Sequence, residues 1–437
     1  MDDRFRRVPT ARLARLAAFG QMAGGVATGV LGEGARRLAR GERPSLPDLL
    51  LTPANARRVT THLSRLRGAA MKLGQMLSMD AGDVLPPELT AILAQLREQA
   101  HVMPPRQLDR VLAQAWGTDW RRRFARFESR PLAAASIGQV HRAVLPSGEE
   151  LAVKVQYPGV AASIDADIDN VAALLRLSGL LPGDLDVSSL LAEAKRQLHE
   201  EADYAREAAQ MRRYGDLLAG DARFVLPRPV DDLLRPTILP MTFQPGAPIE
   251  DLAHAPEDRR NAALGALVDL VLRELFEFGL MQTDPNFANY RWQADTGRIV
   301  LLDFGAARPV TPDTAASYRA LLRTGLSGDV DGLRRALVAA GFVSAAQDAR
   351  HGPAIETMIR LVLDQFEASR ADRFDFADRS VVAELRERAT PILADRDSWH
   401  LPPAETLFVQ RKISGTVLLC VRLGARLPLA GLVSRYV

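Results

Sequence analysis

Leu301-Leu302-Asp303-Phe304-Gly305 is the stretch whose reading decides the fold. An apolar run closing on Asp-Phe-Gly sets a carboxylate at the end of a strand, where it can bind a metal ion bridging nucleotide phosphates. The tripeptide alone is a common chance match, so its surroundings carry the weight. Nineteen residues upstream of Asp303 comes Asp284, within Gln282-Thr283-Asp284-Pro285-Asn286-Phe287-Ala288-Asn289. A phosphoryl-transfer site needs an acid near the attacking group and an amide a few residues on to hold a second metal. Asp284 and Asn289 have that D-x-x-x-x-N spacing. A polar loop capped by its own side chains would look the same in isolation. The short distance to Asp303 favours the chemical reading.

Working towards the N-terminus, Leu151-Ala152-Val153-Lys154-Val155 places one lysine inside an apolar strand. A buried ammonium needs an anion, unless the strand lies at a sheet edge and the side chain points to water. A kinase-type lysine in this place meets the nucleotide phosphates and a glutamate from the following helix. A helix is readable over Leu198–Glu207, and Asp203 and Glu207, four apart, share its face. Glu207 is then offered to Lys154, while Glu201 and Asp203 add acid near the metal. Taken singly, such acids are usually solvated surface. Ahead of the lysine, Ala133-Ala134-Ala135-Ser136-Ile137-Gly138-Gln139 stands where a kinase carries a glycine-rich loop. Alanine can make a tight turn but resists positive φ and narrows the approach to phosphates, so altered nucleotide geometry is expected. A further motif, Lys72-Leu73-Gly74-Gln75, gains no chemistry from spacing alone.

The 437 residues allow two or three domains, and 47% hydrophobic with 25% charged residues is ordinary for a soluble globular protein. The lone Cys420 excludes an intramolecular disulfide, argues for a reducing compartment and reads as a buried, inert thiol. The seven histidines show no zinc-binding spacing. The net charge of +3 is mild, and no nucleic-acid partner is expected. Its make-up is lopsided: of 56 basic residues only Lys72, Lys154, Lys195 and Lys412 are lysine. Lysine and arginine are not interchangeable at tight sites, so each surviving lysine is informative.

The first forty residues carry eight arginines against three acids, and Leu16–Gly32 is uncharged and glycine-rich. Its Gly20-x-x-x-Gly24 and Gly25-x-x-x-Gly29 spacing permits close helix approach, including a homodimer. This segment could span a membrane, lie on its surface or pack on the protein body. Glu42–Pro47 reads as a linker, and Pro53–Gln99 as helical. Strands are expected over Gln139–Val144 and Leu151–Gln156, joined across Pro146-Ser147-Gly148. A helical block follows over Ser189–Leu218, then a strand-like pair at Phe224–Val230 and Thr237–Thr242, then mainly helix. The apolar run Ile413–Val421 is too short to span a bilayer and reads as a core helix. The order predicts an α+β, protein-kinase-like two-lobed fold with a helical N-terminal extension. Expected boundaries are 1–45 (basic, glycine-rich helix), 46–120 (extension), 121–245 (N-lobe) and 246–437 (helical C-lobe).

Together these motifs resemble the UbiB/AarF-domain family of atypical kinases, from about residue 8 to the C-terminus. The resemblance rests on K-x-G-Q at Lys72–Gln75, the alanine-rich loop running into S-I-G-Q-V-H at Ser136–His141, V-K-V-Q at Val153–Gln156, and E-x-D at Glu201 and Asp203. It also rests on the set of Asp284, Asn289 and Asp303. The Q-T-D-P-N form of the loop at Asp284 is more similar to the mitochondrial and alphaproteobacterial branch. The resemblance implies ATP and Mg2+ as cofactors, slow hydrolysis stimulated by anionic membrane lipids and quinone precursors, and support of ubiquinone biosynthesis beside other quinone-biosynthesis proteins. It implies Lys154 and Glu207 as an ion pair, Asp284 as acid/base, and Asn289 and Asp303 as metal ligands. Lys72 and Gln75 reach the active site beside Glu201 and Asp203. Phosphate and base contacts come from Ala133, Ala134, Ala135 and Ser136, and from the Leu239–Phe243 hinge with Met241 and Phe243. The implied location is cytoplasmic and peripheral on the inner membrane, or the organelle counterpart. A nucleotide-binding scaffold without needed turnover and a true protein kinase are the competing readings.

Overall fold

The computed structural model describes residues 102–177, 188–368, 373–395 and 403–437. The Leu16–Gly32 segment, the linker, the Pro53–Gln99 stretch and the motif with Lys72 and Gln75 lie outside the described residues. The chain divides into two units, one holding residues up to Arg212 plus Pro227–Phe243, the other Arg213–Leu226 plus Gln244–Val437.

In the first unit, α1 (Pro105–Trp116) opens on a proline, tolerated at the first helical position because its missing N–H would be unpaired there anyway. Leu108, Val111, Leu112 and Trp116 of α1 join Trp120, Phe124, Val153 and Val155 in one apolar core. The Trp116 indole donates to the Leu233 carbonyl at 2.8 Å, so the buried ring keeps its polar handle satisfied. The strands β1 (Arg126–Phe127), β2 (Ala133–Ala134), β3 (Gly138–Val144) and β4 (Glu150–Gln156) follow. Next come α2 (Val160–Leu177), α3 (Ser188–Ala202) and α4 (Tyr204–Leu217). A short strand β5 (Phe224–Val225) belongs to the second unit, and β6 (Ile238–Thr242) returns to the first. The sheet order is β1-β3-β4-β6, antiparallel, with β2 also on β3. The expected β3–β4 hairpin forms with Gly148 at φ +90°, a conformation that suits glycine, and its N–H reaches the Leu145 carbonyl at 2.9 Å.

Three expectations change. The helical block is two helices broken at Asp203, and a further helix, α2, precedes them. The strand-like pair is split between sheets, because β5 runs parallel to the second unit's strand β10 (Arg298–Leu301) while β6 lies on β4. The rest of the first segment stays beside β6: Pro229 bridges Met241, the Val230 N–H donates to the Pro240 carbonyl at 2.9 Å, and the Thr242 N–H donates to the Arg228 carbonyl at 2.9 Å.

In the second unit the sheet order is β5-β10-β9-β7, with β7 at Ala247–Pro248, β9 at Tyr290–Gln293 and β10 at Arg298–Leu301. A separate ribbon pairs β8 (Leu280–Gln282) with β11 (Ala307–Pro309). Around these strands lie α5 (Glu257–Arg273), α6 (Pro312–Ser327), α7 (Val330–Ala339), α8 (Ala345–Ala368), α9 (Ser380–Ala394) and α10 (Ala404–Arg422). Thr311 and Asp329 cap α6 and α7, accepting the N–H groups of Thr314 and Gly332. The Ile413–Val421 run sits in α10 but is amphipathic rather than wholly core. Leu419 and Cys420 are buried, whereas Val417 and Leu418 are 41% and 55% exposed. Burial pushes the Cys420 thiol up to about 12, as an inert thiol requires. Among the described residues no helix is long and apolar enough to cross a membrane.

Candidate functional site

Strand β4 is paired on both sides, with Lys154 opposite Val140 of β3 and Leu239 of β6. That removes the edge-strand reading of Lys154. Its ammonium lies 2.5 Å from Glu207 Oε1, and the two side chains are 10% and 3% exposed. Glu207 stands in the first turn of α4, so the break at Asp203 aims it. Asp203 caps the helix by accepting the Arg206 N–H at 2.9 Å and is itself exposed. Asp203 and Glu207 thus differ in setting although they are four apart. Glu201, in the last turn of α3, accepts the Ser136 hydroxyl at 2.5 Å. The end of α3 is tied to β4 by Gln156, whose amide donates to the Ala202 carbonyl at 2.6 Å.

The alanine-rich stretch is a paired strand and a turn. Ala133 and Ala134 lie opposite Val140 and Gln139, and the Ala135 N–H closes the turn on the Gly138 carbonyl at 2.9 Å. No non-glycine residue among the described ones adopts positive φ, so the alanines turn without the strain expected of them. Gly138 is needed for closeness, since a Cβ there would lie 2.4 Å from the Val155 carbonyl oxygen. Beneath the turn runs a buried chain of hydrogen bonds. The Met103 N–H donates to Gln139 Oε1 at 2.8 Å, and the Gln139 amide meets His141 Nε2 at 2.8 Å. His141 Nδ1 meets the Glu128 carbonyl at 2.8 Å, which can only accept, so Nδ1 carries the proton and Nε2 is the acceptor. Burial lowers the His141 pKa to about 4, keeping the ring neutral. In β6, Met241 is buried opposite Ala152. Phe243 donates its N–H to the Glu150 carbonyl at 2.8 Å, and its ring lies 4.7 Å from the Arg142 guanidinium.

In the second unit two segments are stitched together. The Thr283 N–H and hydroxyl both donate to the Ala306 carbonyl, at 3.2 and 2.9 Å. The Leu302 N–H donates to the Asn289 carbonyl at 3.0 Å. The residue before Asp284 is thereby fixed to the stretch after Asp303, and Asn289 to the residue just before Asp303. Asp284 Oδ1 accepts the Asn286 N–H at 3.3 Å, and the Asn289 amide nitrogen donates to the Asp284 carbonyl at 3.4 Å. That leaves the Asn289 amide oxygen as a candidate for a hard cation. Asp303 Oδ1 takes the Gly305 N–H at 3.0 Å. Among the described residues no three His, Cys, Asp or Glu side chains gather into a metal cluster. Magnesium is commonly held by one or two protein oxygens together with phosphates, and Asn289 and Asp303 offer that donor set.

Below these loops lies a buried group that spacing did not reveal. Glu274 stands at the start of a π-helical turn, Glu274–Phe278, that ends α5. Its Oε1 accepts the Tyr214 hydroxyl at 2.8 Å and the Gln282 N–H at 3.2 Å, and its Oε2 lies 3.6 Å from the Lys412 ammonium. Burial pushes the Glu274 carboxyl and the Tyr214 phenol up. Burial also pulls Lys412 down, but Glu274, Tyr290 and Asp284 outweigh it and raise its pKa on balance. The ring of Phe304 packs on Tyr214 with centroids 5.0 Å apart. The scarcity of lysine was the one sequence signal that could have found Lys412.

A central-strand lysine paired with a helix glutamate, and an Asp-x-x-x-x-Asn loop sewn to Asp-Phe-Gly, define the class: a protein-kinase-like α+β protein. The chain belongs to the ABC1 atypical kinase-like domain family, whose profile matches residues 95–337. It is an atypical kinase by that membership. It is 37% identical over 425 residues to the mitochondrial atypical kinase COQ8 of Saccharomyces cerevisiae, covering 97% of this chain and 84% of that one. Against the mitochondrial atypical kinase COQ8B of Danio rerio it is 37% identical over 434 residues, covering 96% of this chain and 68% of that one. Among solved structures, the Rv3197–erythromycin complex from Mycobacterium tuberculosis superposes with a TM-score of 0.60 at 26% identity. That match covers 88% of this chain and 96% of the other.

Proposed function

We propose that the protein binds ATP and Mg2+ and acts as an atypical kinase or ATPase supporting ubiquinone biosynthesis at a membrane surface. The observation that carries this reading is the buried Lys154–Glu207 pair. Two charges are held out of water on a central strand and a helix, an arrangement with large desolvation cost that serves a phosphate-binding lysine well. In this reading Glu207 orients the Lys154 ammonium towards nucleotide phosphates. The Ala133–Ser136 turn offers backbone N–H groups, and Met241 and Phe243 flank the base. Asp284 accepts a proton at its carboxylate from the attacking oxygen, a water molecule or an acceptor hydroxyl. Asn289 and Asp303 hold the metal, with Glu201 and Asp203 as further acids. Bound magnesium supplies charge neutralisation on the transferred phosphoryl group. Lys72 and Gln75 act as additional active-site residues, and anionic lipids, quinone precursors and other quinone-biosynthesis proteins are the partners.

A second reading, a nucleotide-binding scaffold without needed turnover, is favoured by one observation. Ala133 and Ala134 are committed to strand pairing with β3, unlike a free glycine-rich flap. Quinone content in a deletion strain separates these readings. Restoration by the wild-type chain but not by Asp303→Asn or Asp284→Asn supports turnover. Restoration by an Asp284→Asn protein that still binds ATP supports the scaffold. No quinone defect on deletion would refute the proposed role.

A further inference from the structure

The ends of the Asp284–Asn289 loop converge on one helix of the same unit. The Lys412 ammonium of α10 donates to the Tyr290 hydroxyl at 2.8 Å and to Gln282 Oε1 at 3.3 Å. Gln282 closes β8 two residues before Asp284, and Tyr290 opens β9 immediately after Asn289. One buried cation therefore fastens both sides of the loop. Nearly one turn further along α10, Gly415 abuts Pro285, and a Cβ at that position would lie 2.1 Å from Pro285 Cβ. Thr416 and Leu419, with Leu267, Leu270 and Phe287, line a small cavity beside the same contact. Arg422 lies 5.8 Å over the Phe287 ring. Glu274 also meets Lys412, its Oε2 3.6 Å from the ammonium, and its Oε1 holds the Gln282 N–H.

Nothing in packing alone asks for a charge here, because an apolar side chain of similar volume would fill the space without the desolvation cost of a buried ion pair. The charge gives directional contacts with fixed geometry at two loop ends. We infer that Lys412 is a positioning residue that sets the distance and orientation of Asp284 relative to Asn289, with Gly415 seating the Pro285 corner. The inference rests on the proposed ATP- and magnesium-dependent activity. It adds that helix α10 is part of the active-site framework.

The test uses the full chain and follows ATP hydrolysis and Mg2+ titration. Lys412→Met alone leaves Glu274 buried without its partner, so it is paired with Lys412→Met/Glu274→Gln, which removes both charges together. Tyr290→Phe is the mild variant, deleting one hydroxyl and its Lys412 contact. The expected result is a double variant that melts cooperatively and binds nucleotide without Mg2+ as wild type does. Its kcat should fall about 100-fold, as a misplacement of the loop by about 1 Å would cause. Tyr290→Phe should lower kcat about 10-fold with KM for ATP little changed, the value of one hydrogen bond to a charged group. Wild-type kcat and Mg2+ dependence in a folded double variant, or in Tyr290→Phe if the double variant does not fold, overturn the inference. If wild type itself neither binds nor hydrolyses Mg-ATP, the proposed function falls and takes this inference with it.

Discussion

His141 gives the most quantitative prediction. Its imidazole is fully buried, donates from Nδ1 to the Glu128 carbonyl and accepts at Nε2 from Gln139. Protonating Nε2 would turn that acceptor into a donor facing an N–H, so the folded chain resists the proton until about pH 4, against 6.5 for the free group. Above pH 6.5 the ring is neutral in both states and costs nothing. Below 6.5 the unfolded chain takes up a proton that the folded chain refuses, so stability falls with pH down to about 4. The window spans about 2.5 pH units at about 1.4 kcal/mol each, about 3 kcal/mol in all, of which about 2 kcal/mol is already lost at pH 5. Urea unfolding followed by the fluorescence of Trp116 and Trp120, which belong to this unit's core, reads the effect. Wild type should lose about 2 kcal/mol more between pH 7 and pH 5 than His141→Gln, which keeps an acceptor but cannot titrate. Equal losses in the two proteins, or a His141 ring signal titrating near 6.5, would refute the reasoning.

Two further outcomes follow from the first unit. Lys154→Met removes the cation that faces buried Glu207 and should destabilise by about 3–5 kcal/mol, while Lys154→Met/Glu207→Gln recovers most of the loss without recovering nucleotide binding. A double variant no more stable than the single one by chemical denaturation would contradict the pairing. Gly138→Ala forces its methyl group against the Val155 carbonyl, 2.4 Å away, and should separate β3 from β4. Amide hydrogen exchange should then accelerate at both strands, and unchanged exchange would count against that account.

The candidate motifs were legible because phosphate chemistry asks for fixed residue types at fixed spacings. Asp284, Asn289, Asp303 and Lys154 announce themselves that way, and the structure pairs Lys154 with the glutamate expected of it. The hairpin was equally plain from alternation and the Pro-Ser-Gly turn. Long-range partnership was not legible. Lys412 meets Gln282 and Tyr290 across 130 and 122 residues, and no local pattern encodes that meeting. Nothing in the local sequence accounts for Gln139, His141 and Gln156. Their work is to satisfy backbone groups, among them those of Met103, Glu128 and Ala202, which only the fold brings near. Asp203 looked like a face-mate of Glu207 because periodicity carries no mark of a helix break, yet a capping aspartate at that position ends one helix and begins another. Strand β5 falls within the expected strand segment, but its partner was not legible for a related reason: a two-residue strand takes its place in a sheet from its neighbour, here β10.

The central claim is that this chain holds nucleotide through Lys154 and a metal through Asp303. Equilibrium binding of a fluorescent ADP analogue to the full chain, with Mg2+ and with a chelator, measures it most directly. The account predicts saturable binding that weakens sharply when Mg2+ is removed. Asp303→Asn should bind like the chelated wild type and no longer respond to Mg2+, and Lys154→Met should bind poorly under both conditions. Binding that ignores Mg2+ and is unchanged in Asp303→Asn and Lys154→Met would contradict it.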